Sequence, residues 1–235
     1  MKNDIFNRYS RQIFIEEIGL DGQRKIMDSR VLVIGAGGLG SPVIQYLTAA
    51  GIGTLGVADF DRVELHNLNR QVIHSEESIG VLKVKSAEHF VKKLNHQVEF
   101  MGFEDKIDDS NAGEILSRFD IVIDGSDNFK SRYLINDTCV KLRKPLVYGS
   151  ILGFTGQVAV FNHNGSKNLR DIFPEPPFNE DIPDCDSQGV LGALPGMIGS
   201  MMANQALKII TGLSVNVNQI TLVDTLNWRF QSIDF

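Results

Sequence analysis

Residues 31–40, V-L-V-I-G-A-G-G-L-G, constrain this chain more than any other stretch. Four apolar residues, three of them β-branched, predict a short buried strand. Gly35, Gly37 and Gly40 then fall on the spacing G-x-G-x-x-G, and Ser41-Pro42 opens an apolar helical run that ends at Gly51. A glycine turn between strand and helix brings backbone N–H groups close to a phosphate, at the positive end of a helix dipole. Many nucleotide-binding folds share this turn, so the rest of the chain has to say which nucleotide binds and what becomes of it.

The pattern around the turn is regular. Residues 4–28 read as helical with a break at Gly19, and Arg8-Tyr9-Ser10-Arg11-Gln12 opens them. Strands are predicted at 31–34, 54–59, 98–103, 121–124 and 146–150, with helices at about 41–50, 81–95, 112–118 and 129–143 between them. Such alternation with β-branched strands predicts an α/β fold, Rossmann-like, with a doubly wound and mostly parallel sheet. After Ser150 the pattern changes. Residues 157–161, 220–224 and 228–233 read as antiparallel additions to one sheet edge, and 189–211 as a helix weakened by internal glycines and a proline. The stretch 162–188 is irregular and holds four of the seven prolines. A loop of that length is uncommon unless it is functional.

Size and charge narrow the field. A chain of 235 residues suits one large domain, and a net charge of −6 argues against general affinity for nucleic acid or anionic membrane. Cys139 and Cys185 are the only cysteines, too few for a disulfide framework or a multi-cysteine metal site. The first residues carry no apolar signal core, and no apolar run approaches membrane-spanning length. A cytoplasmic location is the default expectation. The five histidines show no ligand spacing and are assigned no chemistry. Cys139, within a predicted helix, is expected in the core.

Charged residues then separate the nucleotide classes. Asp59 ends the second strand, where an acidic side chain suits a ribose hydroxyl pair. An NAD-dependent oxidoreductase would share all of this. Arg70, Lys83 and Asp127 would have no joint purpose in such an enzyme. Asp127 follows the fourth strand, at the edge where open α/β sheets bind ligands, and the segment bearing Arg70 and Lys83 returns to the same edge. Two cations and a carboxylate around a phosphate cradle suit a triphosphate with magnesium: the cations offset phosphoryl charge and the carboxylate holds the metal.

The run R-Y-S-R-Q at 8–12, the turn G-A-G-G-L-G, Asp59-Phe60-Asp61, Asn67-Leu68-Asn69-Arg70-Gln71, Lys83 and Asp124-Gly125-Ser126-Asp127-Asn128 together resemble the ThiF/MoeB/HesA family, bacterial relatives of ubiquitin-activating enzymes. The resemblance covers nearly the whole chain. It implies one ThiF-type adenylating domain over 1–235: N-terminal helices at 1–30, a nucleotide-binding part at 31–150, and a carrier-binding extension at 151–235 with a crossover loop at 162–188. It implies activation of the C-terminal Gly-Gly carboxylate of a ubiquitin-like sulfur carrier by ATP and Mg2+. The carrier would be of the ThiS or MoaD type, for thiamine thiazole or molybdopterin synthesis. A short chain without a rhodanese extension, and the opening R-Y-S-R-Q…L-D-G-Q, lean to the ThiS type. A cysteine desulfurase or other sulfurtransferase is the implied source of sulfur.

Carried over by residue, Gly35, Gly37, Gly38 and Gly40 form the nucleotide floor, Asp59 takes the ribose, Asn67, Arg70 and Lys83 contact the phosphates, and Asp61, Asn69 and Asn128 join the nucleotide site. Asp127 resembles the magnesium aspartate. Arg11 resembles an arginine that reaches a phosphate from the partner subunit, which implies a homodimer. Without catalysis, the same fold would be a carrier-binding scaffold.

The chain also departs from that family. Most members carry two C-x-x-C pairs that bind a structural zinc. The place of the first pair is Asn168-Leu169-Arg170-Asp171, and the second, expected after Trp228-Arg229, is not present. We therefore expect no zinc and a more mobile 162–188 segment. Cys185 stands where some members use a cysteine in carrier bonding or sulfur transfer, and it is kept as a catalytic candidate. Asp184 and Asp186 flank it, and adjacent carboxylates raise a thiol's pKa, which weighs against that role.

Overall fold

Five parallel strands form the centre of the structure, a computed structural model that describes residues 2–177 and 189–235. The strands are β1 (Arg30–Ile34), β2 (Thr54–Ala58), β3 (Glu99–Phe103), β4 (Ile121–Asp124) and β5 (Leu146–Leu152). Three antiparallel strands extend them: β6 (Thr155–Phe161), β7 (Gln219–Asp224) and β8 (Arg229–Asp234). The order across the sheet is β3-β2-β1-β4-β5-β6-β7-β8. Because β1 leads outward to β2 on one side and β4 lies on its other side, strand order reverses between β1 and β4. Ligands of open α/β sheets bind in the crevice at that switch point.

Eight helices lie among the described residues: α1 (Lys2–Ile13), α2 (Gly19–Asp28), α3 (Gly40–Ala50), α4 (Lys83–Leu94), α5 (Ala112–Ser117), α6 (Phe129–Leu142), α7 (Leu169–Ile172) and α8 (Ala193–Thr211). β1 shows why the central strands are apolar throughout. Val31 and Val33 join one buried cluster with α3, α4 and α8, while Leu32 and Ile34 join a second with α5 and α6. A parallel strand covered on both faces has no solvent side to show. Each of these side chains buries completely or nearly so, worth about 1.5–3 kcal/mol apiece.

The sequence reading of the parallel sheet and its antiparallel extension holds, with shifted boundaries. The late helix begins at Ala193, where the predicted run began at 189. Its start is set by a close approach: a Cβ at Gly192 would lie 2.3 Å from the Asn69 carbonyl oxygen. Gly199 lets α8 cross α3 just as closely, since a Cβ there would lie 2.4 Å from Pro42 Cγ. Two of the glycines that weakened the prediction, Gly192 and Gly199, are the ones that let α8 pack.

The irregular stretch contains order the sequence reading did not foresee. Asn168-Leu169-Arg170-Asp171, in the place of the family's first cysteine pair, forms a capped single turn. The Asn168 N–H donates to Asp171 Oδ2 at 2.7 Å, and Asn168 Oδ1 accepts from the Arg170 N–H at 2.9 Å. Residues 178–188, including Cys185, lie outside the described residues.

Candidate active site

The glycine turn is shaped by contact with the loop after β4. Gly35 has φ +93°, and a Cβ there would lie 2.8 Å from the Gly125 carbonyl oxygen. Gly40 is tighter still, for its Cβ would lie 1.8 Å from the Gly35 carbonyl oxygen. Gly40 therefore closes the turn onto α3 and does not face the cleft. Gly38 is less crowded, for a Cβ there would meet Pro195 Cβ of α8 at 3.2 Å.

Beyond the turn lies a cleft of about 380 Å3 at the carboxyl ends of β1, β2 and β4. Gly35, Gly37, Gly38, Asp59, Asp61, Arg70, Lys83, Asp127 and Asn128 all line it. Thus nine residues proposed from sequence, spread over 94 positions from 35 to 128, share one cavity wall.

Lys83 is the first residue of α4 and is buried. A lysine at the positive end of a helix opposes the macrodipole, so helix stability does not explain it. Its Nζ donates to Asp61 Oδ2 at 3.0 Å, and its backbone N–H donates to the Asp61 carbonyl at 2.8 Å. Arg70 reaches the cleft from the loop after β2. Its Nη1 donates to the His66 carbonyl and to Asn69 Oδ1, at 3.0 and 3.1 Å. Asn69 thus steers Arg70 and does not line the cavity. Asn67 is buried, and its Oδ1 accepts the Glu64 N–H at 3.0 Å, tying the turn that precedes Arg70.

Asp59 is buried at the end of β2. Its Oδ2 accepts the Ala36 N–H at 2.7 Å and its Oδ1 accepts the Asp61 N–H at 2.8 Å. Burial pushes its carboxyl above the ordinary value, and Lys83 and the two N–H groups act against that. Asp127 and Asn128 stand at the start of α6. Asn128 Oδ1 accepts the Ser131 N–H at 2.9 Å and so caps the helix. Asp127 is exposed, with only a long 3.3 Å contact from Asn128 Nδ2.

Arg11 lies outside the cleft and is exposed on α1. Its neighbours fix the helix: Tyr9 is 3% exposed, and its hydroxyl accepts from Asn95 Nδ2 at 2.8 Å. Gln12 Nε2 donates to Gln23 Oε1 at 2.7 Å. Tyr9 and Gln12 therefore anchor α1, Arg8 Nη1 donates to the Leu94 carbonyl at 3.1 Å, and Arg11 faces outward.

The cavity also has walls that sequence reasoning left unassigned. Asp105, Lys106 and Ile107 line it from the loop after β3, and Lys106 Nζ lies 5.4 Å from the exposed Phe60 ring. Their position past a strand end was the available signal. Arg132 reaches the wall from α6 and is buried. Its Nη1 donates to the Tyr148 hydroxyl at 2.9 Å and its Nη2 to the Ser126 carbonyl at 3.0 Å. Beneath it, burial pushes the Asp124 carboxyl up, with Arg132 acting against the shift. Nothing in the local sequence separates Arg132 from the other cations of α6.

Cys139 is fully buried on α6, and burial pushes its thiol far above the ordinary value. It is a core residue with no thiolate chemistry.

A family profile described as the ThiF family matches residues 9–235. The chain belongs to the ThiF family. It is 48% identical over 214 residues to the adenylyltransferase and sulfurtransferase MOCS3 of Aedes aegypti, covering 91% of this chain and 49% of that protein. The protein of the same name from Anopheles gambiae is 47% identical over 234 residues, covering 99% of this chain and 53% of that protein. The chain thus spans about half the length of the curated relatives it matches. Among solved structures, PaaA superposes with a TM-score of 0.84 at 21% identity, covering 100% of this chain and 74% of that one. E. coli MccB crystallised with ATP gives a TM-score of 0.82 at 21% identity, covering 99% and 75%. These two likenesses establish the fold.

Proposed function

We propose that this ThiF-family domain adenylylates the C-terminal Gly-Gly carboxylate of a ubiquitin-like sulfur carrier. One observation carries the reading: Lys83, Arg70 and Asp127 stand around the glycine turn in one cleft, with Lys83 set against its own helix dipole. A triphosphate gives that arrangement a purpose, and the relatives named adenylyltransferase support it.

The reaction needs little from the protein beyond placement. A carrier carboxylate oxygen attacks the α-phosphorus of ATP. The bond from that phosphorus to the bridging oxygen breaks, and pyrophosphate leaves with the electron pair. No proton moves, because a carboxylate is ionised at neutral pH. The obstacle is repulsion between one anion and a polyanion. Arg70 and Lys83 offset that charge, and the glycine turn holds the phosphates in line. Asp127 fits magnesium, which takes one or two carboxylates together with substrate phosphates and supplies charge neutralisation when bound. Among the described residues no group of three or more His, Cys, Asp or Glu side chains is arranged for a metal, and a magnesium held through phosphates needs none.

The family's partner-supplied arginine has its counterpart in exposed Arg11, so the working unit we propose is a homodimer. The 151–235 extension is proposed to receive the carrier. Leu226, Trp228 and Phe230 stand 67%, 70% and 50% exposed there, and Trp228 stacks edge-on against Phe230 at 5.6 Å. An apolar cluster of this kind marks an interaction surface. The lean to the ThiS type has two grounds, chain length and the opening R-Y-S-R-Q…L-D-G-Q, and the half-length match to the relatives removes the first. The relatives' shared name includes sulfurtransferase, which fits either carrier. No helix among the described residues is long and apolar enough to cross a membrane.

ATP–pyrophosphate exchange with ThiS-type and MoaD-type carriers offered separately tests the reading. Exchange with one carrier supports it and names the carrier. Exchange with neither, together with tight NAD binding, overturns it.

A further inference from the structure

The Ala36 peptide lies between Gly35 and Gly37 and is held on both sides. Its N–H donates to Asp59 Oδ2 at 2.7 Å, and its carbonyl lies 2.9 Å from His74 Nε2. A carbonyl only accepts, so Nε2 carries the proton. The other ring nitrogen, Nδ1, lies 2.8 Å from Ser86 Oγ. In the neutral ring Nδ1 therefore accepts from the Ser86 hydroxyl. His74 and Ser86 are each 8% exposed, and Ala36 is fully buried.

This one imidazole joins three segments. Ala36 belongs to the glycine turn. His74 sits in the loop that carries Arg70, and Ser86 lies one turn after Lys83 on α4. A turn with glycine on both sides of Ala36 has wide backbone freedom. Phosphate binding by its N–H groups requires one conformation, so freedom lost before binding is not lost on binding.

We propose that His74 is a positioning residue: its neutral, Nε2-protonated ring clamps the Ala36 carbonyl and so fixes the direction of the following N–H groups of the glycine turn. The charged groups around it fit that state. Lys83 faces it from α4, and Asp59 lies across the Ala36 peptide at the end of β2. Burial first, then Lys83, hold the imidazole below its ordinary value, with the Ala36 carbonyl acting the other way. The inference rests on the adenylylation reading only for what the turn receives; the clamp itself is independent of it.

The test uses the full chain labelled with 15N. His74 is expected to show a protonated Nε2 and an unprotonated Nδ1 at neutral pH. His74→Ala should shift the Gly37 and Gly38 amide resonances. It should also weaken ATP binding by about tenfold in direct titration, the size of one lost buried hydrogen bond. The effect should fall on KM for ATP more than on kcat. His74→Gln, whose amide can donate from the Nε2 position, should restore both the resonances and the affinity in large part. If His74→Ala does not fold, His74→Gln and Ser86→Ala carry the comparison, with Ser86→Ala perturbing the same resonances. A ring protonated on Nδ1, or wild-type resonances and ATP affinity in His74→Ala, overturns the clamp. Absence of carrier-dependent exchange in the unmodified chain would overturn adenylylation instead, while the tautomer and the resonances still decide the clamp.

Discussion

At the scale of single residues, two glycines of the same turn have opposite reasons to be glycine. A Cβ at Gly40 would lie 1.8 Å from a backbone oxygen that cannot move without opening the turn. Gly40→Ala should cost at least about 3 kcal/mol by chemical denaturation. A Cβ at Gly38 would meet Pro195 Cβ at 3.2 Å, a contact that a few tenths of an ångström relieve. Gly38→Ala should stay within about 1 kcal/mol of the unmodified chain and lose ATP affinity in titration, because the added methyl lines the cleft. Lys83→Ala should abolish most carrier-dependent pyrophosphate exchange while the chain stays folded, and near-normal exchange would remove Lys83 from the reaction. His74 sets a pH dependence. Its folded-state pKa lies below the ordinary 6.5, so the unfolded chain binds the proton more tightly. Stability from the neutral ring is complete above that value and is lost as pH falls through it. Urea melts between pH 8 and pH 5 should show this loss in the unmodified chain and a shallower one in His74→Gln. Asp59 and Asp124, both raised by burial, titrate in either protein and cancel in the comparison.

At the scale of elements, the turn at 168–171 shows how a small piece of chain is held without cysteines. Asn168 and Asp171 cap it from within. α6 holds it from outside: Asn136 Oδ1 accepts the Leu169 N–H at 3.0 Å, and Asp137 takes Arg170 through both carboxylate oxygens at 2.8 Å. Arg170 also lies 4.8 Å from the centre of the Tyr133 ring. The Arg170 hydrogen bonds hold the Asp137 carboxyl below its ordinary value, so the pair's contribution is present above pH 3.8 and is lost as pH falls through the lowered pKa. Both side chains are substantially exposed, which limits the pair to about 1 kcal/mol. Asp137→Ala should therefore leave the melting curve nearly unchanged and increase proteolytic cutting around 168–175. Unchanged proteolysis would show that the caps alone hold the turn. The helix α4 offers the contrast. It starts at a lysine with no side-chain cap, and the segment before it is held by the Asp61–Lys83 contacts. Helix stability does not account for that element's first residue.

At the scale of the molecule, one sheet places everything. Parallel β2-β1-β4 brings the ends of three strands together, and α8, packed on α3, sets Pro195 beside Gly38. Arg11 alone among the expected site residues that the structure describes is far from this arrangement in role, since α1 turns it outward. If it serves a partner's cleft, a mixture of Arg11→Ala and Lys83→Ala chains should regain exchange that neither has alone, because each mixed dimer contains one intact site. No recovery after subunit exchange would place Arg11 outside the reaction.

The sequence alone determined the α/β class, the mostly parallel sheet implied by regular alternation, and the glycine, aspartate, arginine and lysine positions that share the cleft. These were legible because strand ends and turn glycines follow local rules: a β-branched run ends, and a residue just past it must face the binding edge. Only the tertiary structure decided which of those residues line the cavity and which support it. Gly40, Asn67 and Asn69 read as nucleotide contacts in one dimension, yet they close a turn, tie a loop and steer an arginine. His74 showed no spacing at all, because its partners Ala36 and Ser86 come from different elements. A hydrogen bond between segments 38 and 12 positions apart leaves no period in a sequence; it exists only once the sheet has set the segments side by side.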